Sequence, residues 1–484
     1  MSAGEQLGAG NLTEDTEVTP AGLVEQHHIG VIPDADRHGR PRDQFTLWFA
    51  ANANVVNFTL GVLAIVFGLN LLWALVAIVV GNVVGMLLTA LHAWQGPKLG
   101  VPQMIQSRGQ FGFYGASFII LVSIVLDIGY LAASQVLQGD SLNLLWSSVS
   151  VQGWIIIITL PALALAIFGY KWIHQAQKVM TAIFAVVIVI TLIQAATYGP
   201  VLHQYRGTHL SSGPVLVATI GLFFMNMLSW AIYVSDYSRY LPRNVSFQKT
   251  FWAIFLGNVV STTLFAALGA WVATLVPTAG ANPLGALAKV SGLWVMFFMG
   301  ISQIPGDTLN AYTGMMAFAS LGSNNRGFMS AQRRQAVRIT GILLIFVVGT
   351  VIACLSSAHF YSSFENFIGV LLFFFVPWSA INLVDYYIVK RGRYDVASFF
   401  TPKGIYGGFQ WWACLCYVIT LAVQVPFLDQ TFYQGVLVPK LGGADISWIV
   451  GFCVASLLYL AGAKRFAGGQ QGLPAATEPV GSAS

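Results

Sequence analysis

Twelve stretches, each close to the roughly 17–25 apolar residues that carry a helix across a bilayer, occupy most of this 484-residue chain. Their approximate limits are Phe45–Gly68, Leu71–Ala93, Phe113–Gln138, Gly153–Phe168, Ala176–Tyr198, Val215–Tyr237, Phe251–Val276, Leu293–Leu321, Ile339–Leu355, Phe364–Tyr387, Phe409–Val425 and Ile446–Leu460. In hydrocarbon every backbone N–H and C=O must be satisfied internally, so segments of this length and apolarity are predicted to be helices. The composition agrees, with 56% hydrophobic and 8% charged residues, too few charges to cover a water-soluble domain. An all-α polytopic membrane protein is expected, with the lipid bilayer as its first partner.

An even number of spans puts both termini on one side, and the basic residues say which. With the N-terminus in the cytoplasm only Arg206, Lys289 and Lys440 fall outside, so 20 of the 23 basic residues lie inside. A multi-pass protein of the inner or plasma membrane, both termini cytoplasmic, is therefore predicted. The same bias accounts for the net charge of +5, and no nucleic-acid partner is inferred from it. Residues 1–44 are mixed and acidic, unlike a cleavable signal peptide, and are expected to form a cytoplasmic tail, as are residues 464–484. Cys354, Cys414, Cys416 and Cys453 all lie in predicted spans and read as small apolar residues. The pair His27-His28 is weak as a metal site.

No loop is long enough to fold alone, against about 50 residues for a small domain, so the chemistry must lie inside the bundle. Transport proteins often use helices interrupted near the midplane at corresponding places in two halves. Span one carries Asn52-Ala53-Asn54 and Asn57, and span six carries Gly221, Asn226 and Ser229. Span eight carries Ser302-Gln303-Ile304-Pro305-Gly306-Asp307, where Pro305 removes a backbone donor and a kink is expected. Spans one and six, like three and eight, are five apart. That spacing suggests a five-helix unit repeated with inverted topology, residues 45–198 and 215–387, followed by two peripheral helices over 409–460.

Asp127 in span three and Asp307 in span eight are carboxylates near the bilayer centre with no basic residue predicted at that depth. Each should be neutral, bound to a cation, or facing water; a protonated Asp capped by a neighbouring backbone and a coupling site are both open. Tyr130, Phe223, Phe224 and Trp230 lie at the same depth, where aromatic faces either pack or sandwich a planar heterocycle. Asp236, Glu365 and Asp385, at the ends of spans six and ten, read as salt bridges or caps. Phosphate loops, His/Cys metal spacing and nucleophile elbows do not occur, so neither an enzyme nor a resident cofactor is expected.

Several stretches taken together resemble the nucleobase–cation symporters, in the purine-cytosine permease branch. They are Ile29-Gly30-Val31-Ile32-Pro33, Arg40 to Phe49 with Ala51 to Val55, Gln95 to Met104 with Ser107 to Gly112, Trp230 with Ser235 to Pro242, and Ile304-Pro305. The resemblance implies a LeuT-type fold of ten helices in two inverted repeats plus two C-terminal helices, with substrate between spans one, three, six and eight. By position it implies a substrate site at Ala50, Asn52, Asn54, Tyr130, Ser134, Phe224, Asn226, Trp230, Ser302 and Gln303. Here Tyr130 stands where Trp is usual, Ser134 where Asn is usual, Ser302-Gln303 where an Asn pair is common, and Gln177 where many members have Glu. Ion coupling falls to Asp127, Asp307, Ser302 and Thr308, with proton or sodium as the cation. The expected function is secondary active uptake of cytosine or a purine by alternating access. The alternatives are a same-fold carrier of allantoin, a hydantoin or a vitamin precursor, or a non-transporting receptor. The oligomeric state is not legible.

Overall fold

The computed structural model describes residues 29–321, 331–356 and 360–466, with the side chains of residues 170, 171, 331–334, 360–366, 368, 372 and 464–466 excepted. His27-His28, most of the expected N-terminal tail, residues 467–484 and the Glu365 side chain lie outside that description.

Span one is two helices, α1 (Pro41–Asn52) and α2 (Val55–Val66), bent by 59° at the break. Span two is α3 (Leu71–Leu99), followed by the short α4 (Gln103–Gln106) and α5 (Arg108–Phe111). Spans three to five are α6 (Ser117–Leu145), α7 (Val151–Phe168) and α8 (Tyr170–Tyr198). Span six is α9 (Gly213–Leu228), a 3-10 turn over Ser229–Ile232, and α10 (Val234–Ser238). Then come α11 (Phe247–Leu275), the short α12 (Pro283–Ser291), α13 (Trp294–Ile301) and α14 (Ile304–Leu321) as the halves of span eight, α15 (Ala331–Ser356) and α16 (Phe360–Leu383), which runs into a π-helical turn over Val384–Val389. The last two are α17 (Trp411–Gln424) and α18 (Ser447–Phe466), joined by a loop holding the two-residue strands β1 (Asp429–Gln430) and β2 (Tyr433–Gln434). Among the described residues eight helices are long and apolar enough to cross a bilayer, nine if α1 and α2 form one crossing. The other expected spans are the divided α13–α14 and the shorter apolar helices α17 and α18.

Two crossings give the bundle its frame. Helix α3 lies along α9, where a Cβ on Gly81 or Gly85 would collide with the backbone oxygens of Ile220 or Phe224. Helix α11 lies along α2, where a Cβ on Gly61 or Gly269 would collide with the oxygens of Ala266 or Phe58. Lipid gives helices no hydrophobic reason to associate, so close backbone approach through small residues supplies the contact energy. Spans two and six, and seven and one, are the same pair under a shift of five spans. Both equivalent crossings are thus built with glycine. Long apolar side chains such as Val125, Leu160, Val186, Val347 and Leu457 stay exposed on the outside, as a lipid-facing surface requires.

The chain before α1 is fastened to the end of the bundle that carries Arg37, Lys98, Arg239, Arg243 and Lys390, here called the basic end. Ile32 N–H donates to Gly100 O at 2.9 Å, His38 N–H to Tyr240 O at 2.7 Å, and Arg37 Nη1 to Pro97 O at 2.5 Å. Gly100 ends α3 at φ 70°, and a Cβ there would meet the Arg37 guanidinium. Burial lowers the pKa of that guanidinium from its ordinary value, while Asp34, 3.2 Å away, acts the other way. Asp385 is buried at the same end. It pairs with Lys390 at 3.0 Å and accepts from Tyr394 at 2.5 Å and Tyr459 at 2.7 Å, joining span ten to α18. Asp236 caps α4, accepting from Gln103 N–H at 2.7 Å.

Candidate functional site

The break in span one is held open by side chains. Asn54 Oδ1 accepts from Asn57 N–H at 2.9 Å and caps α2, while Asn54 Nδ2 donates to Ala51 O, 2.7 Å away, at the end of α1. The first amide of α2, Val55 N–H, is met across the bundle by Ser302 Oγ at 3.0 Å. These bonds meet part of the free backbone groups that the two helix ends leave. Span six breaks at Ser229–Tyr233, starting at the Ser229 named from the sequence, whereas Gly221 lies inside α9 against Trp448. Span eight breaks at Ser302-Gln303, two residues before the expected kink. Pro305 sits instead in the first turn of α14, where a missing N–H removes no helical bond.

The broken segments meet around a cavity lined by Asn52, Asn54, Val56, Asn57, Tyr130, Asn226, Ser229, Trp230, Tyr233, Gln303 and Asn310. They come from spans one, three, six and eight. The free space is about 10 Å³, near what one water needs, so a heterocycle requires the walls to part. Three aromatic residues, Tyr130, Trp230 and Tyr233, share the lining with amides and hydroxyls. Trp48 and Tyr233 pack perpendicular to the Trp230 indole, with centroids at 5.4 and 5.6 Å, which fixes the ring.

Most of the lining amides are committed to one another. Asn52 Nδ2 donates to Asn258 Oδ1 at 2.7 Å, and Asn52 Oδ1 accepts from Thr262 at 3.1 Å. Asn57 Nδ2 donates to Asn52 O at 2.7 Å, and Asn226 Nδ2 to Asn57 Oδ1 at 2.8 Å. Tyr233 OH donates to Asn310 Oδ1 at 3.0 Å. Two lining atoms differ: Trp230 Nε1 and Gln303 Oε1 are buried and make no hydrogen bond within the described residues.

Of the residues expected at the substrate site, the structure brings Asn52, Asn54, Tyr130, Asn226, Trp230 and Gln303 to the cavity. Four others sit elsewhere. Ala50 is buried in α1 away from the lining, and Phe224 packs on Trp448 of α18 at 4.6 Å. Ser302 is used by the span-one break, its own proton going to Met299 O at 2.7 Å. Ser134 donates to Asp307 Oδ1. Val56, Asn57, Ser229, Tyr233 and Asn310 are lining residues not included in the expected site. Asn310 could have been found, being seven positions after Gln303 and so on the same helical face.

The residues expected to couple an ion separate in the same way. Thr308 donates to Ile304 O at 2.8 Å and reaches Ala162 O of α7 at 3.3 Å, so it does not join Ser302 as a pair of neighbouring hydroxyls. Asp307 accepts from Ser134 and from Gln138 Nε2 at 2.7 Å, and Asp127 meets Thr313 Oγ1 at 3.2 Å. Neither carboxyl lines the cavity, though Asp307 lies in sequence between two lining residues, Gln303 at the span-eight break and Asn310 on α14. No group of three or more His, Cys, Asp or Glu side chains placed to hold a metal occurs among the described residues.

Three helices broken around one closed polar cavity, on a frame of two equivalent crossings, define a secondary transporter with a LeuT-type fold. The model of the family of permeases for cytosine/purines, uracil, thiamine and allantoin matches residues 31–451, and the chain belongs to that family. It is 35% identical over 439 residues to the putative purine-cytosine permease YxlA of Bacillus subtilis, covering 90% of this chain and 95% of that one. It is 24% identical over 460 residues to the purine-cytosine permease fcyB of Emericella nidulans, covering 90% and 88%. Among solved structures, Mhp1, a nucleobase-cation-symport-1 family transporter in a closed conformation with bromovinylhydantoin bound, superposes with a TM-score of 0.71 at 20% identity, over 93% of this chain and 97% of that one. Its inward-facing conformation gives 0.70 at 18% identity, over 96% and 100%. The chain is a multi-pass membrane transporter, in a family of permeases and not of enzymes.

Proposed function

We propose that this protein imports a nucleobase, cytosine or a purine, by symport with a cation, alternating access between the two sides of the membrane. The observation that carries the reading is the cavity itself: Tyr130, Trp230 and Tyr233 bring aromatic surface to a site walled by amides from the three interrupted spans, one, six and eight. A planar ring with polar edges matches both kinds of surface. The 35% identical relative is a putative purine-cytosine permease, which supports the same substrate class. In this reading Trp230 and Tyr130 supply the faces and Gln303 reads an edge. Asp307, between Gln303 at the span-eight break and Asn310 on α14, couples the driving cation to the occupied cavity. The proposed orientation places the basic end in the cytoplasm.

A second reading is a hydantoin or allantoin. It is favoured by the bromovinylhydantoin bound to Mhp1, since a five-membered ring presents comparable edges. A thermal-shift screen of the purified protein against cytosine, adenine, hypoxanthine, uracil, allantoin and hydantoin, with and without sodium, separates the two. A base that raises Tm more than the five-membered rings do supports the first reading, and the reverse order supports the second.

A further inference from the structure

The seam between α6 and α14 holds a second buried carboxyl beyond the cavity. On α6, Asp127, Tyr130, Ser134 and Gln138 follow at helical spacing along one face, and on α14 so do Asp307, Asn310 and Thr313, with Gln303 at the break just before that helix. The hydrogen bonds pair them in opposite order, Ser134 and Gln138 with Asp307, and Asp127 with Thr313. The two helices therefore run antiparallel. Six residues separate Asp307 from Thr313, about 9 Å along the axis, with the lining residue Asn310 between them. Asp127 accordingly sits one step past the cavity toward α10, whose Asp236 caps the α4 helix at the basic end.

The surroundings of Asp127 are poor in partners. It is 1% exposed. The Thr313 hydroxyl has one proton, and Leu309 O at 2.8 Å competes for it. The titratable groups that face Asp127 are Tyr233 from the turn after α9, whose hydroxyl is directed to Asn310, Asp236 from α10, and Tyr130 on its own helix. From α14 and α15 it meets Thr313, and Gly314 beside Ile345, none of which is charged. No Lys or Arg forms an ion pair with it among the described residues. An anion with a shared claim on one hydroxyl is too costly at this depth, whereas a neutral acid can itself donate to Thr313 Oγ1.

We propose that Asp127 is a proton-binding site of the transport cycle, on the cytoplasmic side of the cavity, loaded when the seam is closed and discharged when it opens inward. Its carboxylate forms an O–H bond with a proton delivered by hydronium through the outward-open cavity. That bond breaks to water on the cytoplasmic side, and no electrons are exchanged. The proposal rests on the symport reading above and deepens it, making the proton a coupled cation and naming the group that releases it.

The test uses the full-length protein in phosphatidylethanolamine–phosphatidylglycerol liposomes, with pyranine inside to follow protons and radiolabelled cytosine and hypoxanthine as the transported bases. Each coupled proton supports about tenfold accumulation per unit of pH gradient. Asp127→Asn is expected to continue exchanging internal for external base, while its limiting accumulation at one pH unit falls about tenfold and one fewer proton enters per base. Asp127→Glu, which keeps a titratable group, should restore accumulation and shift the pH midpoint of uptake. Wild-type accumulation and proton ratio in Asp127→Asn would overturn the proposal. Should that variant fail to reconstitute, an unchanged pH midpoint in Asp127→Glu would overturn it equally. Wild-type protein that concentrates a base only on sodium and moves no protons also overturns it, leaving the symport reading intact. Wild-type protein that moves no base under any gradient overturns the reading beneath it.

Discussion

Trp230 and Gln303 each bring to the cavity one polar atom that is buried without a hydrogen bond. Leaving such an atom unmet costs about 1–3 kcal/mol, a cost that a bound ligand removes. On that ground Trp230→Ala should weaken binding of the best base by an amount like the roughly 1–3 kcal/mol lost when an aromatic partner of a stacked base is deleted. Calorimetric titration of the purified variant checks this, and affinity within about twofold of wild type would return Trp230 to packing. Gln303→Ala should cost more for the preferred base than for its poorer analogues, because a polar pocket rejects a mismatched edge strongly. Equal losses across a panel of bases would show that Gln303 only fills space. Asn54 should behave differently from both. Its oxygen caps α2 and its amide ties α1, so Asn54→Ala should lower Tm, with the loss of about 1 kcal/mol typical of a cap, in the absence of any ligand.

At the scale of elements, the crossings make the sharpest demand. A side chain on Gly269 would enter the backbone of Phe58, so Gly269→Leu should overpack the α2–α11 contact by about 1–3 kcal/mol. A lowered Tm in detergent tests that, set against Gly199→Ala, where a Cβ meets nothing within 4 Å. The long apolar runs made most helices legible in the sequence, since their length is set by the bilayer. The breaks were legible as regions but not to the residue. Gly221 has the composition of a break yet is simply the place where Trp448 of α18 packs, while span six opens at Ser229–Tyr233. Pro305 advertised a kink, but proline is comfortable in a first helical turn, so the helix starts just before it. Asn52, Tyr130, Asn226, Trp230 and Gln303 could be placed by depth and by resemblance. Phe224, Ser302 and Ser134 could not be placed, because which neighbour a side chain turns toward depends on packing between distant spans. Ser302 lies 247 residues from Val55, whose amide it accepts, and no local pattern carries that pairing.

For the whole molecule, the account joins a closed cavity to a carboxyl that lies between two of its lining positions. Asp307 has two hydrogen-bond donors from α6 and no basic partner among the described residues; in the proposed reading its charge is balanced by the cation that drives transport. Asp307→Asn keeps the shape and most of the hydrogen bonding but removes the titratable charge. The decisive measurement is accumulation of radiolabelled cytosine or hypoxanthine by reconstituted vesicles under an imposed inward proton or sodium gradient, wild type beside Asp307→Asn. Wild-type vesicles should concentrate the base above its external level, and the variant should reach a lower limiting accumulation, short by the cation that Asp307 couples. Vesicles of the variant that concentrate the base as wild type does, or wild-type vesicles that never exceed the external concentration under either gradient, would contradict the account.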